Sequence, residues 1–263
     1  GTGGPVTGHM LIAARSRSIN GPWEPCPRNP LLSPESINEP WWSRGHATLI
    51  EGPSGDWWMV YHGYENGYRT LGRQTLLEPI TWTDDGWFKA EGGDLSLPLP
   101  MPFVSKKKAE SFALSDDFST NKFGIQWAFH NPQSNEMSRV SYLERGLLLE
   151  GAGDSPVNSS PITCGVVDQA YQTEVTLTLQ GDVEAGLILF YNPKAFVGLG
   201  VTKSEIKTFQ YAEEHPWARI NANNSQVRLR LINDHHVITF QYSHDEGKTW
   251  KTHQTRMEVS GLN

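Results

Sequence analysis

Residues 44–63 read RGHATLIEGPSGDWWMVYHG, which sets an arginine, two histidines and a carboxylate beside a pair of tryptophans. A carboxylate among apolar residues is what a general acid for sugar cleavage needs, because partial desolvation raises its pKa. Glu51, however, runs into Pro53-Ser54-Gly55-Asp56, a tight-turn composition that puts it at the lip of a hairpin. A carboxylate there is solvated, so Glu51 reads as a turn residue. His46 follows Arg44-Gly45 and enters a run of small and apolar residues, Ala47 to Ile50. An imidazole in such a place serves as a structural group or as a ligand, and residue type alone leaves both open. Arg73 opens a strand-like run after Gly72, and its planar fork of donors suits two vicinal hydroxyls. Asp84, Asp85 and Gly86 compose an ordinary turn, to which both carboxylates are assigned.

Farther along, SHDEGKTW (243–250) fits the S-x-D-x-G-x-T-W Asp-box of sialidase-type propellers. Its physics is local: Ser243 and Asp245 accept backbone amides in a hairpin with Trp250 packed beneath, so it stabilises a turn and carries no chemistry. The motif occurs once, whereas sialidases repeat it. His235-His236 has no nearby Cys or Glu at metal-ligand spacing. Nucleophile elbow, P-loop and dinucleotide fingerprints are absent.

The elements that must carry these residues are strands. Residues 9–16, 46–52, 56–63 and 73–82 read as strands divided by the turn clusters INGPW, PSGD and TDDGW, as in a propeller blade. Composition shifts at LPLPMPFVSKKKAE (97–110), Pro-rich and then basic, which predicts a linker over 104–112 between a first domain (1–103) and a second (113–263). Lys106 to Lys108 read as a solvated tether. The second domain holds alternating runs such as TEVTLTLQ, in which Val175, Leu177 and Leu179 share one face. Six or more such strands predict an antiparallel β-sandwich. The fold class is all-β.

The 263 residues carry a net charge of −7 with no basic stripe, which argues against a nucleic-acid partner. No apolar stretch approaches the roughly 18 residues of a membrane helix, so no membrane partner is expected. Cys26 and Cys164 fall in different predicted domains and read as free thiols. Ten tryptophans suit a sugar-binding protein, although most such rings fill cores.

With these residues in view, the first hundred resemble the last part of the catalytic propeller of glycoside hydrolase family 43, the family of β-xylosidases and α-L-arabinofuranosidases. The resemblance runs through GTGG, ARSRSINGPWEPCPRNPLL, RGHATLIEGPSGDWWMVYHG and LGRQTLLEPITWTDDGW, in the family's order. Residues 113–263, from DDFS and QWAF through GLILFYN, resemble the concanavalin-A-like sandwich that follows this propeller. The resemblance implies a five-bladed propeller and hydrolysis with inversion by an Asp base, an Asp modulator and a Glu acid, the acid and base roughly 6.5–9.5 Å apart. In the family these three precede the segment resembling GTGG, so no catalytic residue is expected in this chain. His46 matches the family's axial histidine, which binds a calcium ion or an ordered water; no other cofactor is implied. Arg73 matches the arginine that holds hydroxyls in the glycone subsite, Thr2 matches a small polar residue at its edge, and His9 is placed along the same pocket.

Both ends read as cuts, since the chain opens on Gly1 and the sandwich stops at Asn263 before its final strands. The expected partners are a xylo- or arabino-oligosaccharide and the missing N-terminal propeller segment. The function expected is a portion of an inverting, exo-acting hydrolase that releases terminal xylose or arabinose. The alternative is a non-catalytic carbohydrate-binding or structural fragment whose sandwich presents Trp127 and Trp217 to a polysaccharide.

Overall fold

The computed structural model describes residues 6, 8–91, 95–99, 101–102, 113–221 and 225–261. Thr2 and the linker predicted over 104–112 lie outside them. The chain divides into two compact units, Gly1–Ser111 and Phe112–Asn263. No α-helix occurs among the described residues; strands and short 3-10 turns make up the regular structure.

In the first unit a short pair, β1 (Ala14–Arg15) and β2 (Glu24–Pro25), precedes an antiparallel meander. The meander runs β3 (Trp41–Glu51), β4 (Trp57–Glu65), β5 (Arg73–Trp82) and β6 (Phe88–Ala90), in that spatial order. Its turns follow from composition: Gly55, Gly67, Gly72 and Gly86 all have positive φ, which glycine adopts without a Cβ penalty. Strand β4 alternates as a half-buried strand should. Met59 and Tyr61 enter the core with Leu32, Ile80 and Phe88, while His62 and Tyr64 take the opposite face.

One expected strand is corrected. Residues 9–16 form only an isolated bridge, Leu11 with Leu32, and the two residues of β1. The facing segment is interrupted by Pro25, Pro27 and Pro30, which have no amide hydrogen to give to a ladder. The side chain of Asn29 takes over that task, accepting from the Ala13 amide and donating to its carbonyl, both at 2.9 Å.

The second unit begins with β7 (Ala128–Phe129), β8 (Val140–Leu143), β9 (Gly146–Leu149) and β10 (Ile162–Thr163), which form two small pairs. Two antiparallel sheets follow. One is β11 (Ala170–Thr178), β17 (Gln226–Asp234), β18 (Val237–Ser243) and β19 (Lys251–Glu258). The other is β12 (Ala185–Asn192), β13 (Ala195–Val201), β14 (Glu205–Gln210) and β15 (Glu213–Glu214), with β16 (Ile220–Asn221) also on β14. Their inner faces share one core: Val197, Leu199 and Val201 from β13, and Leu229, Leu231, Ile238 and Phe240 from β17 and β18. On the outer face Glu174 holds Arg230 at 2.8 Å, and that guanidinium lies 3.7 Å from the Trp250 ring. The Asp-box is a turn clamp as expected: Gly247 donates to Ser243 Oγ and Thr249 to Asp245 Oδ1, both at 2.9 Å. Both cysteines are free.

A single imidazole joins the two sheets. His253 on β19 is 2% exposed, and its Nε2 lies 2.9 Å from Thr208 Oγ1 on β14. The Thr255 amide donates to Nδ1 at 3.1 Å, so that nitrogen is unprotonated and Nε2 carries the hydrogen. Thr208 passes its own hydroxyl hydrogen to the Ala218 carbonyl. Burial holds the His253 pKa below the ordinary value. A depressed histidine stabilises the fold fully above its unfolded pKa and loses that contribution as pH falls through the folded value. The melting temperature should therefore drop as pH falls below about 6.5. His253→Ala should cost about 1–3 kcal/mol at pH 7.5 and flatten that dependence, read by thermal denaturation across pH. An unchanged slope would remove His253 from this role.

Candidate functional site

Register sets the site. The eleven residues of β3 pair with the nine of β4 because the ladder slips twice. Trp42 faces Tyr64, Gly45 faces His62 and Thr48 faces Val60, so each interval holds one extra residue on β3. Ser43 (φ 52°) lies in the first interval and His46 (φ 59°) in the second, both left-handed, a conformation that non-glycine residues rarely adopt. His46 comes out exposed.

Between the two bulges Arg44 is buried and anchors the strand. Its Nη2 donates to Glu39 Oε2 at 2.6 Å and to the Ser33 carbonyl at 3.3 Å. The other Glu39 oxygen accepts the amides of Glu35 and Ser36. Nearby, the Tyr61 hydroxyl donates to buried Glu78 at 2.9 Å, and burial with the Glu78 charge pushes that phenol well above its usual range. Two glycines make the arrangement fit. A Cβ on Gly45 would stand 3.0 Å from the His9 ring, and one on Gly63 would stand 3.1 Å from the Trp42 carbonyl oxygen.

Three imidazoles gather over Gly45. His9 is buried and its ring centroid is 5.4 Å from that of His62; His46 lies 5.7 Å from His62 on a plane tilted by 28°. His62 is the centre of the row. Arg73, which pairs across the ladder with Tyr64, brings Nη1 to 3.4 Å from His62 Nδ1 and 3.3 Å from Nε2. Its Cζ is 5.1 Å from the Tyr64 ring centroid. Burial first, and then the charge of Arg73, hold His9 and His62 below the ordinary histidine pKa, so both are neutral at pH 7. Among the described residues Arg73 forms no ion pair. The cluster thus presents one permanent cation beside the neutral rings of His9 and His62, a set that donates hydrogen bonds to hydroxyl oxygens.

His9, His46 and Arg73, nominated by the sequence, are brought together; Thr2 falls outside the described residues. His62, Tyr64 and Arg44 were not nominated. Strand alternation over 57–65 could have found two of them, because it puts 62 and 64 on the face opposite the core residues 59 and 61. Glu51 sits exposed at the hairpin end of β3, paired with Trp57. Asp85 spans its turn and holds Arg28 at 3.0 Å. No group of three or more His, Cys, Asp or Glu among the described residues could hold a metal ion. Around His46 the donors are imidazole nitrogens and a guanidinium, whereas calcium takes six to eight oxygens, so these residues alone do not fit that ion. Trp217 stands exposed beside His215, and Trp127 is half-buried with Nε1 donating to Asp116 at 2.7 Å.

Comparison with known proteins agrees with this architecture. Residues 1–88 match the family described as Glycosyl hydrolases family 43, and residues 115–263 match the Beta xylosidase C-terminal Concanavalin A-like domain. A non-reducing end alpha-L-arabinofuranosidase of Bacteroides ovatus is 30% identical over 212 residues, covering 76% of this chain and 40% of the relative. A beta-xylosidase of Bacillus subtilis is 25% identical over 226 residues, covering 77% of this chain and 42% of the relative. The solved structure of the family 43 protein BlXynB from Bacillus licheniformis superposes with a TM-score of 0.80 at 26% identity, over 99% of this chain and 54% of that one. The chain therefore spans about half the length of the proteins it matches.

The packing of His9 over Gly45 can be tested directly. A methyl group at position 45 meets three ring atoms at 3.0–3.2 Å, so Gly45→Ala must displace the imidazole. It should cost about 1–3 kcal/mol, read as a lowered melting temperature. Gly165→Ala, where no atom lies within 4 Å of the new methyl, should stay within about 0.5 kcal/mol. Equal stability of the two variants would contradict the packing.

Proposed function

We propose that this chain, a member of glycoside hydrolase family 43, is part of an inverting, exo-acting hydrolase that releases terminal xylose or arabinose from xylo- or arabino-oligosaccharides. In this reading Arg73 grips hydroxyls of the terminal pentose, His9 and Thr2 border the same subsite, and His46 addresses the axial position through an ordered water. The observation that carries it is Arg73 itself: a guanidinium on a family 43 segment, without an ion-pair partner among the described residues, set against rings that engage only Nη1. In this reading the paired acid and base carboxylates are supplied by propeller sectors other than this segment. The names of the relatives, an arabinofuranosidase and a xylosidase, support a pentose in the glycone position. The family matches over both units favour this reading over a separate polysaccharide platform on the sandwich, and Trp127 is half-buried and tied to Asp116.

The test uses the protein that contains this chain, with 4-nitrophenyl β-D-xylopyranoside and 4-nitrophenyl α-L-arabinofuranoside. Arg73→Ala should lower kcat/KM by about 10²–10³-fold, the scale of a lost transition-state donor. Arg73→Lys should recover only part, because an ammonium lacks the planar fork. Proton NMR of the first-formed sugar should show the anomer inverted. Near-normal kinetics for Arg73→Ala would overturn the assignment.

A further inference from the structure

We propose that His62 is the positioning residue for Arg73: its ring face carries the guanidinium and aims the donor fork at the sugar. The inference rests on the reading of Arg73 as the glycone-binding cation. Its geometric basis is the near-equality of two distances, 3.4 Å from Nη1 to Nδ1 and 3.3 Å to Nε2. In the plane of the ring, a point that near to both nitrogens would run into Cε1, the carbon between them. The guanidinium nitrogen therefore sits over the face of the imidazole. A hydrogen bond along a ring nitrogen's lone pair would instead bring one nitrogen close and leave the other far. Tyr64, two residues along β4 on the same side, supplies a second ring 5.1 Å from Cζ, so the guanidinium is supported at two points.

The support is rigid because His62 is itself packed. His9 leans on it from the side left open by Gly45, and His46 stacks on it from the second bulge of β3. His62 is half-buried and Arg73 exposed, as expected for a platform and the group it presents. Among the described residues the charged and titratable groups facing His62 are Arg73, His9 and His46, none of them acidic, so the contact is a cation on a neutral ring. A contact of this kind directs an Nη1–H at the ring and leaves the remaining N–H donors of the fork for a ligand, whereas a bidentate ion pair would take two of them.

The contact predicts which substitutions repair it. In the protein that contains this chain, His62→Ala should lower kcat/KM for the two aryl pentosides by about 10–100-fold. The change in kcat should exceed that in KM, since a misaimed donor still binds sugar but out of register. His62→Phe, which restores a ring face, should recover most of that loss, while His62→Gln, which restores only an acceptor, should not. Adding His62→Ala to Arg73→Ala should cost little more than Arg73→Ala alone. Independently of activity, the Arg73 Nε–H resonance, assigned by its absence in Arg73→Lys, should be shifted upfield by the ring, lose that shift in His62→Ala and keep it in His62→Phe. Recovery by Gln and not by Phe, or a resonance indifferent to His62→Ala, would overturn the proposal. If the wild type cleaves neither pentoside, the functional reading fails, and the resonance alone decides whether His62 places Arg73.

Discussion

The site depends on the two extra residues of β3. In a regular antiparallel pair each residue has one partner, and a slip of one residue sends every later side chain to the other face. Strand β3 slips twice against β4, and the second slip restores the alternation that the first disturbed. Between the slips Arg44 is turned inward to Glu39, and beyond them Ala47 and Leu49 pack against the core again. The strand keeps its hydrophobic face and still sends out His46. Two left-handed non-glycine residues, Ser43 and His46, are what this costs. The ion pair of buried Arg44 with half-buried Glu39 and the amides gathered on Glu39 hold the strand in that shape.

The same constraint explains the glycines. A bulge brings backbone closer to its neighbours than a flat ladder does, and side chains must be deleted where neighbours arrive. Gly45 is empty so that a ring from outside the ladder can lie over it. Gly63, one residue beyond His62, is empty so that the Trp42 carbonyl and the stem of Arg44 can approach. Stability and site are built from the same atoms here, with Tyr61 and Glu78 satisfying each other on the core side of β4 and His62 and Tyr64 working on the other.

Much of this was legible in the sequence, for identifiable reasons. Strand β5 was read with its observed limits, 73 to 82, because Gly72 and the TDDGW turn bound it on both sides. The sandwich strands were legible because Val175, Leu177 and Leu179 alternate cleanly with threonines, and they do point into its core. Residues 9–16 misled because their composition suits a strand, while a strand needs a partner and the prolines of 25–30 refuse one. His62 was missed for a different reason. Its importance comes from what lies across the ladder, a glycine on β3 and an arginine diagonal to it on β5, and no local pattern reports cross-strand neighbours once bulges have shifted the register. His253 was equally silent, since its partner lies 45 residues away on the facing sheet.

The electrostatics of the cluster follow from what it lacks. Carboxylates near an arginine are the usual way to hold it, and this unit uses that device at Arg15, Arg28 and Arg44. Arg73 is held by rings instead. Carboxylate support would neutralise the cation and engage the donors that must reach a ligand. An uncharged imidazole leaves the cation its charge and engages it only through Nη1, and the neighbours keep the ring uncharged. Burial and the fixed charge of Arg73 each disfavour a second proton on His62, so the cation keeps its own platform neutral. The support is therefore self-consistent: the charge that needs a neutral ring is one of the forces keeping the ring neutral. An amide or a hydroxyl at position 62 would also be neutral, but it would offer a single acceptor atom in place of a ring face on which the guanidinium nitrogen rests.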